Sequence, residues 1–385
     1  MRDAMHTSID FYPCFVVLRV RCTGAEDGAT SALYLVFDGI KMGATVTLNG
    51  VELAQVKDQF RRYVFELNSS HFPADVDAVN VLEVAFDSTI DVEGRFMACT
   101  GGWDWAPYTT THNADARTFS KGIWKNVYLV TASSVTIEHV VPQIFYRGEY
   151  PTTPLEDGKH GGFDVQVRVH LRAAAATSGT LTLTPGWAPS APISTSVTLP
   201  AGNSTAVLET VANASDIKLW WPANTGREHP LYNISVSFQQ QDLGVDSEVA
   251  AVRRVGFRHV ALVTGNDTDP SFVAKAAQEE GTELSFGMFF RVNGAAIFTR
   301  GANMIPMEEM EGRMNPEAHQ ILVQSAVAAN FNILRVWGGG MFLPDAWYDE
   351  CDELGVLVYH DMQYAQQGHA PNATVDQDAE LRHQV

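Results

Sequence analysis

The chain has 385 residues, with 26 Lys and Arg against 45 Asp and Glu and a formal net charge of −19. That acidic balance argues against nucleic acid and membrane surfaces as partners, because it repels phosphate backbones and anionic headgroups; no apolar run of about 20 residues is present to span a bilayer. A neutral ligand fits the charge, and the length implies two or three domains.

From the start of the chain, short apolar–polar alternations broken by Gly, Pro, Asn and Asp predict strands at Phe15–Val20, Ala32–Phe37, Ala44–Leu48, Arg62–Leu67, Val81–Phe86 and Ile123–Val130. Asn49-Gly50 predicts a two-residue hairpin turn, since both residues tolerate positive φ. These strands predict a first β domain over residues 1–133. A second β region, 134–260, has strand patterns at Phe163–Leu171, Gly179–Leu183, Ser194–Leu199, Ser204–Glu209 and Tyr232–Phe238, the rhythm of a sandwich of immunoglobulin size. Gly148–Gly162 is too polar and turn-rich to pack and is expected to be a surface loop, and Trp220-Trp221-Pro222 suits a domain interface.

The third region, 261–385, opens with a polar insertion at Asn266–Glu283 carrying a short helical piece, then a hairpin over Phe289–Phe298 around Asn293-Gly294, leading into a strand at Ile297–Gly301. Asn315-Pro316-Glu317 starts a helix with a capping side chain and a first-turn proline, with Leu322, Ala326 and Ala329 on one face. A strand follows at Asn332–Trp337. A second helix opens at Pro344, with Trp347, Cys351 and Leu354 facing inward and Gly355 as a left-handed cap; a third strand runs over Val356–Asp361. This alternation predicts parallel β/α construction. Ile297 to Val385 is about 90 residues against about 250 for a closed (β/α)₈ barrel, so three β/α units fit.

Sites in such barrels lie at the carboxyl ends of the strands. That rule selects Asn303, Arg335, Trp337 and Asp361. An arginine inside a short strand either forms a partly buried ion pair that holds the barrel or steadies a catalytic carboxylate or a substrate hydroxyl. Gly338-Gly339-Gly340 lets a ligand approach the backbone or forms a plain connection. Trp103 and Asp104, in Gly101-Gly102-Trp103-Asp104-Trp105-Ala106-Pro107, suit a sugar: flat rings meet its apolar faces and a carboxylate meets its hydroxyls. Two tryptophans packed under a loop is the competing reading. The acidic segment Glu308, Glu309, Glu311 is expected to be solvated.

Cys14, Cys22, Cys99 and Cys351 are scattered without metal-like spacing and are expected to be free thiols; no metal or cofactor is predicted. Asn-x-Ser/Thr sequons start at Asn68, Asn203, Asn213, Asn233, Asn266 and Asn372, which favours a lysosomal or secreted protein. Met1–Cys14 lacks a basic segment followed by an apolar one, so no signal peptide is read there.

Thr299-Arg300-Gly301-Ala302-Asn303-Met304-Ile305-Pro306, the run from Asn332 through Arg335-Val336-Trp337 to Gly340, and Cys351-Asp352-Glu353-Leu354-Gly355 resemble β-mannosidases of the β-galactosidase/β-glucuronidase superfamily. Gly102–Pro107, Lys121–Lys125 and Val46–Val51 match the same family's first domain. The resemblance implies a jelly-roll domain, an immunoglobulin-like domain and the first three β/α units of a catalytic barrel, and a retaining exo-β-glycosidase acting on terminal β-mannose. It implies that Trp103 and Asp104 hold the terminal sugar, that Arg335 neighbours the nucleophile, and that Trp337 and Asp361 line the sugar subsite. The family's two catalytic glutamates follow strands four and seven, so none is assigned here and this chain alone is expected to be inactive. Ala106 stands for a common glycine, and Tyr359-His360 for a Trp and an amide. Other readings are a non-catalytic carbohydrate-binding protein and a hydrolase of the galactosidase or glucuronidase type.

Overall fold

The computed structural model describes residues 8–12, 15–20, 32–41, 43–73, 75, 78–87, 121–132, 134–187, 191–241, 248–264, 267–270, 288–308 and 311–362. Trp103, Asp104, Asn266, Asn372, Cys14, Cys22, Cys99 and nearly all of the Asn266–Glu283 segment lie outside those residues.

Strict alternation in Ala44–Leu48 buries Ala44, Val46 and Leu48 on one face. Its sheet runs Ser8–Tyr12, Phe15–Val20, Asn80–Phe86, Ala44–Leu48, Val51–Val56, all antiparallel. Val127–Ala132, Ala32–Phe37 and Tyr63–Leu67 form a second sheet. Phe37 from the second sheet and Val46, Leu82 and Val84 from the first share one core. Asn49 (φ 53°) and Gly50 (φ 79°) make the predicted hairpin turn. The Asn49 amide also donates to His71 O at 2.7 Å and Asn80 Oδ1 at 2.9 Å. The strand expected at Ile123–Val130 is instead Val127–Ala132, while Gly122–Ile123 pairs separately with Ile40–Lys41. Trp124 interrupts the run: its ring packs on Gly39, where an added Cβ would lie 2.5 Å from Nε1, and Nε1–H reaches Gln59 O at 3.3 Å.

The next seven strands make two sheets. Val135–Tyr146, Phe163–Ala173 and Gly202–Ala212 form one; Ile193–Leu199, Thr177–Pro185, Tyr232–Gln240 and Val249–Val255 form the other. Phe163, Val165, Val167, Val169 and Leu171 point alternately inward and join Leu181, Leu183, Ile234, Val236 and Phe238 in the largest core of the described chain. Trp187 is fully buried against Phe257, edge to face at 5.1 Å. The expectation that Gly148–Gly162 does not pack is corrected: Pro151 is buried and Leu155 packs on this core. Two hydrogen bonds tie the loop down, Leu155 N–H on Asn293 O at 2.8 Å and Asp157 Oδ1 accepting from Leu219 N at 2.9 Å.

Asn293 (φ 48°) and Gly294 (φ 79°) close the hairpin between Phe289–Val292 and Ala295–Ile297. Unlike Asn49, Asn293 is wholly buried. Its side chain accepts from His259 N at 2.8 Å and donates to Trp220 O at 3.0 Å. Trp220, also wholly buried, packs with Val292 and Leu357, and its Nε1–H donates to Asp352 O at 2.8 Å. Ala223 N–H to Gly355 O at 2.6 Å adds a second tie. The Trp220-Trp221 segment therefore joins the sandwich to the last region, as its sequence suggested.

In that region Gly301–Met304, Ile333–Val336 and Leu357–His360 form a parallel sheet in sequence order. Helices Pro316–Ala328 and Asp345–Leu354 alternate with them. The first strand lies four residues later than the expected Ile297–Gly301, because Ile297 is used by the preceding hairpin. Asn303 accordingly sits within this strand, not after it. Asn315 caps the first helix, its Oδ1 accepting from Glu317 N at 2.9 Å. Its buried residues are His319 and Val323, with Leu322 and Ala326 partly buried and Ala329 exposed at the C-cap. Trp347 and Cys351 are buried on the second helix, which ends at Gly355 (φ 77°). A side chain at Gly355 would also strike the His229 ring at 2.5 Å. Met304, Leu334, Val336, Val323, Trp347 and Cys351 share the core beneath the helices.

Candidate functional site

Registry places the polar residues of the parallel sheet together. Asn303 pairs with Arg335, and Arg335 with Tyr359, in one row across the three strands. Met304, Leu334 and Val336 turn to the helix side, so period-two alternation turns Asn303 and Arg335 to the opposite face. Asp361 follows directly after the third strand, its N–H bonded to Val336 O at 3.1 Å.

Arg335 engages Asp361 through two donors, Nε to Oδ1 at 3.1 Å and Nη2 to Oδ2. This is the planar two-point geometry that suits guanidinium to carboxylate. The remaining arm, Nη1, donates to Asn303 Oδ1 at 3.0 Å. Gly338 N–H adds a further bond to Asp361 Oδ2 at 3.1 Å. Of the two readings of Arg335, the ion pair is the one seen: its partner is Asp361, a carboxylate at a strand end. Asp361 keeps 20% of its side-chain surface exposed and Arg335 39%, leaving this edge of the network open to solvent.

The structure brings Asn303, Arg335 and Asp361 together. Trp337 follows the second strand, half-buried, its N–H on Met304 O at 3.1 Å. The glycines after it have a different role from the open backbone their sequence suggested. All three are buried. A Cβ at Gly339 would lie 2.0 Å from the Trp337 ring, and one at Gly340 2.9 Å from Pro306. They let the indole and a proline close over the loop. Glu308 pairs with Arg313 at 3.5 Å, at the surface.

Next to Asp361, on the row of the sheet that pairs with Val336, stands His360, noted in the sequence only as a departure from the family pattern. His360 lies between two rings, stacked on Phe342 at 5.5 Å and on Tyr348 at 5.9 Å. Phe60, from the first β unit, meets Phe342 edge-on at 5.8 Å. The only sequence signals were an aromatic in the polar run Asp58–Arg62 and a histidine preceding Asp361. Cys351 is a buried free thiol whose pKa is pushed up by burial, which keeps it protonated and inert. Among the described residues no cluster of His, Cys, Asp and Glu could hold a metal ion, and no helix is long and apolar enough to cross a membrane. Asn68, Asn203, Asn213 and Asn233 are all exposed.

Residues 19–94 match the family described as glycosyl hydrolase 2 galactose-binding domain-like. A β-mannosidase of Bos taurus is 30% identical over 367 residues, covering 87% of this chain and 37% of the relative. A β-mannosidase A of Aspergillus niger is 27% identical over 364 residues, covering 86% and 37%. The chain therefore spans little more than a third of the length of these curated relatives. Among solved structures, the β-D-mannosidase of Dictyoglomus thermophilum superposes with a TM-score of 0.65 at 22% identity, covering 91% of this chain and 40% of that one. The exo-chitosanase CsxA of Amycolatopsis orientalis gives 0.63 at 19% identity, covering 96% and 38%. These two likenesses establish a shared fold.

Proposed function

We propose a function from one premise: this chain is a homologue of β-mannosidases, which match it over 86–87% of its length at 26–30% identity. The function is that of a retaining exo-β-glycosidase releasing terminal β-mannose from oligosaccharides or glycoprotein glycans. In this reading residues 1–133 are the jelly-roll domain, 134–260 the immunoglobulin-like domain, and 261–385 an insertion with the first three β/α units of the catalytic barrel.

The observation that carries it is the convergence of Asn303, Arg335 and Asp361 at the carboxyl side of three adjacent parallel strands. Asp361 has both oxygens engaged by Arg335 and one also by Gly338. A carboxylate held this way is a poor proton shuttle and a poor nucleophile, but a good fixed acceptor for a sugar hydroxyl. Asn303 offers an amide for another hydroxyl, and Trp337 a ring for an apolar sugar face. Trp103 and Asp104, which lie outside the described residues, are expected from the family resemblance alone to hold the terminal sugar.

Retention of configuration needs a second kind of carboxyl, a pair about 5–5.5 Å apart serving as acid/base and nucleophile. No residue of this chain is assigned to that pair, so residues 1–385 alone are expected to bind but not turn over a β-mannoside. The exposed sequon asparagines support passage through the secretory route to a lysosomal or secreted location. The test compares aryl β-mannoside, β-galactoside and β-glucuronide hydrolysis by a form extended to the length of the relatives. Preference for the mannoside supports the reading; preference for either other glycoside, or no turnover of any, overturns it.

A further inference from the structure

Asp361 is held by more than its salt bridge. His360 Nδ1 lies 2.7 Å from the carbonyl oxygen of Asp361. A carbonyl only accepts, so Nδ1 carries a hydrogen, and in the neutral imidazole Nε2 is then the acceptor nitrogen. Nε2 lies 2.8 Å from the Tyr348 hydroxyl, which is therefore the donor. Burial pushes the Tyr348 pKa up to about 12, so the hydroxyl keeps its proton. That same oxygen accepts from Leu343 N at 3.3 Å. One directed chain thus runs from Leu343 through Tyr348 and His360 to the backbone of Asp361.

We propose that His360 and Tyr348 are positioning residues that fix the Asp361 carboxylate where it faces the sugar. The inference rests on the reading of Asp361 as a sugar-facing group. The peptide unit before Asp361 is anchored by its N–H on Val336 O, and the one after by His360 on its C=O. With both peptides held, the carboxylate has few ways to leave the reach of Arg335 and Gly338. Stacking between Phe342 and Tyr348 holds the imidazole plane, and Tyr348 sits on the helix Asp345–Leu354, a rigid support. Phe60 completes the column at its far end, so the seating of the first β unit reaches the same carboxylate through Phe342.

His360→Phe keeps a stackable ring and removes both nitrogens. Tyr348→Phe removes the hydroxyl alone. His360→Gln supplies an amide that both donates to a carbonyl and accepts from a hydroxyl. The readout is site-resolved amide exchange at Gly338, whose N–H reports the Asp361 carboxylate from 23 residues away. His360→Phe lowers Gly338 protection about tenfold or more, Tyr348→Phe lowers it less, and His360→Gln retains it, with Leu357 N–H protection unchanged in all three. Unchanged Gly338 protection in His360→Phe, or equal loss in His360→Gln, overturns the proposal; no effect of Tyr348→Phe overturns the part assigned to Tyr348. In the extended, active form His360→Phe raises KM for an aryl β-mannoside with little change in kcat, and His360→Gln restores it. An unchanged KM there removes the link to sugar binding. The exchange experiment contains no sugar, so it tests the positioning of Asp361 even if the mannosidase reading fails.

Discussion

The seven-stranded sandwich and the three-stranded parallel sheet differ in what their described strands pack against. The sandwich closes one apolar face on another, and residues from Val135 to Phe257 make a core complete in itself. The parallel sheet covers one face with helices and leaves the other with Asn303 exposed and Arg335 half-exposed. Parallel sheets ordinarily bury both faces. The difference teaches where the polar side chains gather: Asn303, Arg335 and Asp361 meet toward the carboxyl ends of the parallel strands, with Asn303 and Arg335 turned away from the helices.

The comparison can be broken by substitutions that trade the two signatures. Trp187→Ala in the sandwich is expected to cost about 3–5 kcal/mol of stability, the range for deleting a buried aromatic, read by chemical denaturation; sugar affinity per folded molecule should not change. Asn293→Ala comes next, at about 2–3 kcal/mol, since it strands the buried partners His259 N–H and Trp220 C=O and places alanine at positive φ. Asn49→Ala also places alanine at positive φ and loses bonds to His71 O, Asn80 Oδ1 and Val81 N, but at a half-buried site that water can reach, so about 1–2 kcal/mol is expected. Arg335→Lys belongs to the other signature. It loses the two-point grip on Asp361, so β-mannoside affinity should fall about tenfold in binding or KM measurements while the melting temperature stays nearly unchanged. Arg254→Ala is the smallest: its ion pairs with Asp349 and Glu353 are surface contacts between the regions, worth less than about 1 kcal/mol in a denaturation curve.

Much of this was legible because local rules and the fold agree. Alternation located the strands Ala32–Phe37 and Ala44–Leu48 to the residue. Positive-φ chemistry located both Asn-Gly turns, and the Asn315-Pro316 start and Gly355 stop bracketed the helices. Asn303, Arg335 and Asp361 were singled out by the strand-end rule and do meet, although Asn303 lies within its strand rather than after it. What was not legible depends on partners far along the chain. Nothing local says that Leu155 packs on the sandwich core or that its N–H meets Asn293 O. The Phe60–Phe342–His360–Tyr348 column joins residues nearly 300 positions apart, and periodicity carries no information at that range.

The most direct test of the central claim, that Asn303, Arg335 and Asp361 form a sugar-holding cluster, is a paired measurement on Asp361→Asn in the extended form. Aryl β-mannoside kinetics and thermal melting are recorded side by side against the unsubstituted protein. The account predicts a KM raised about tenfold or more with a melting temperature shifted only slightly. Unchanged kinetics, or a loss of activity that simply tracks loss of folded protein, would contradict it.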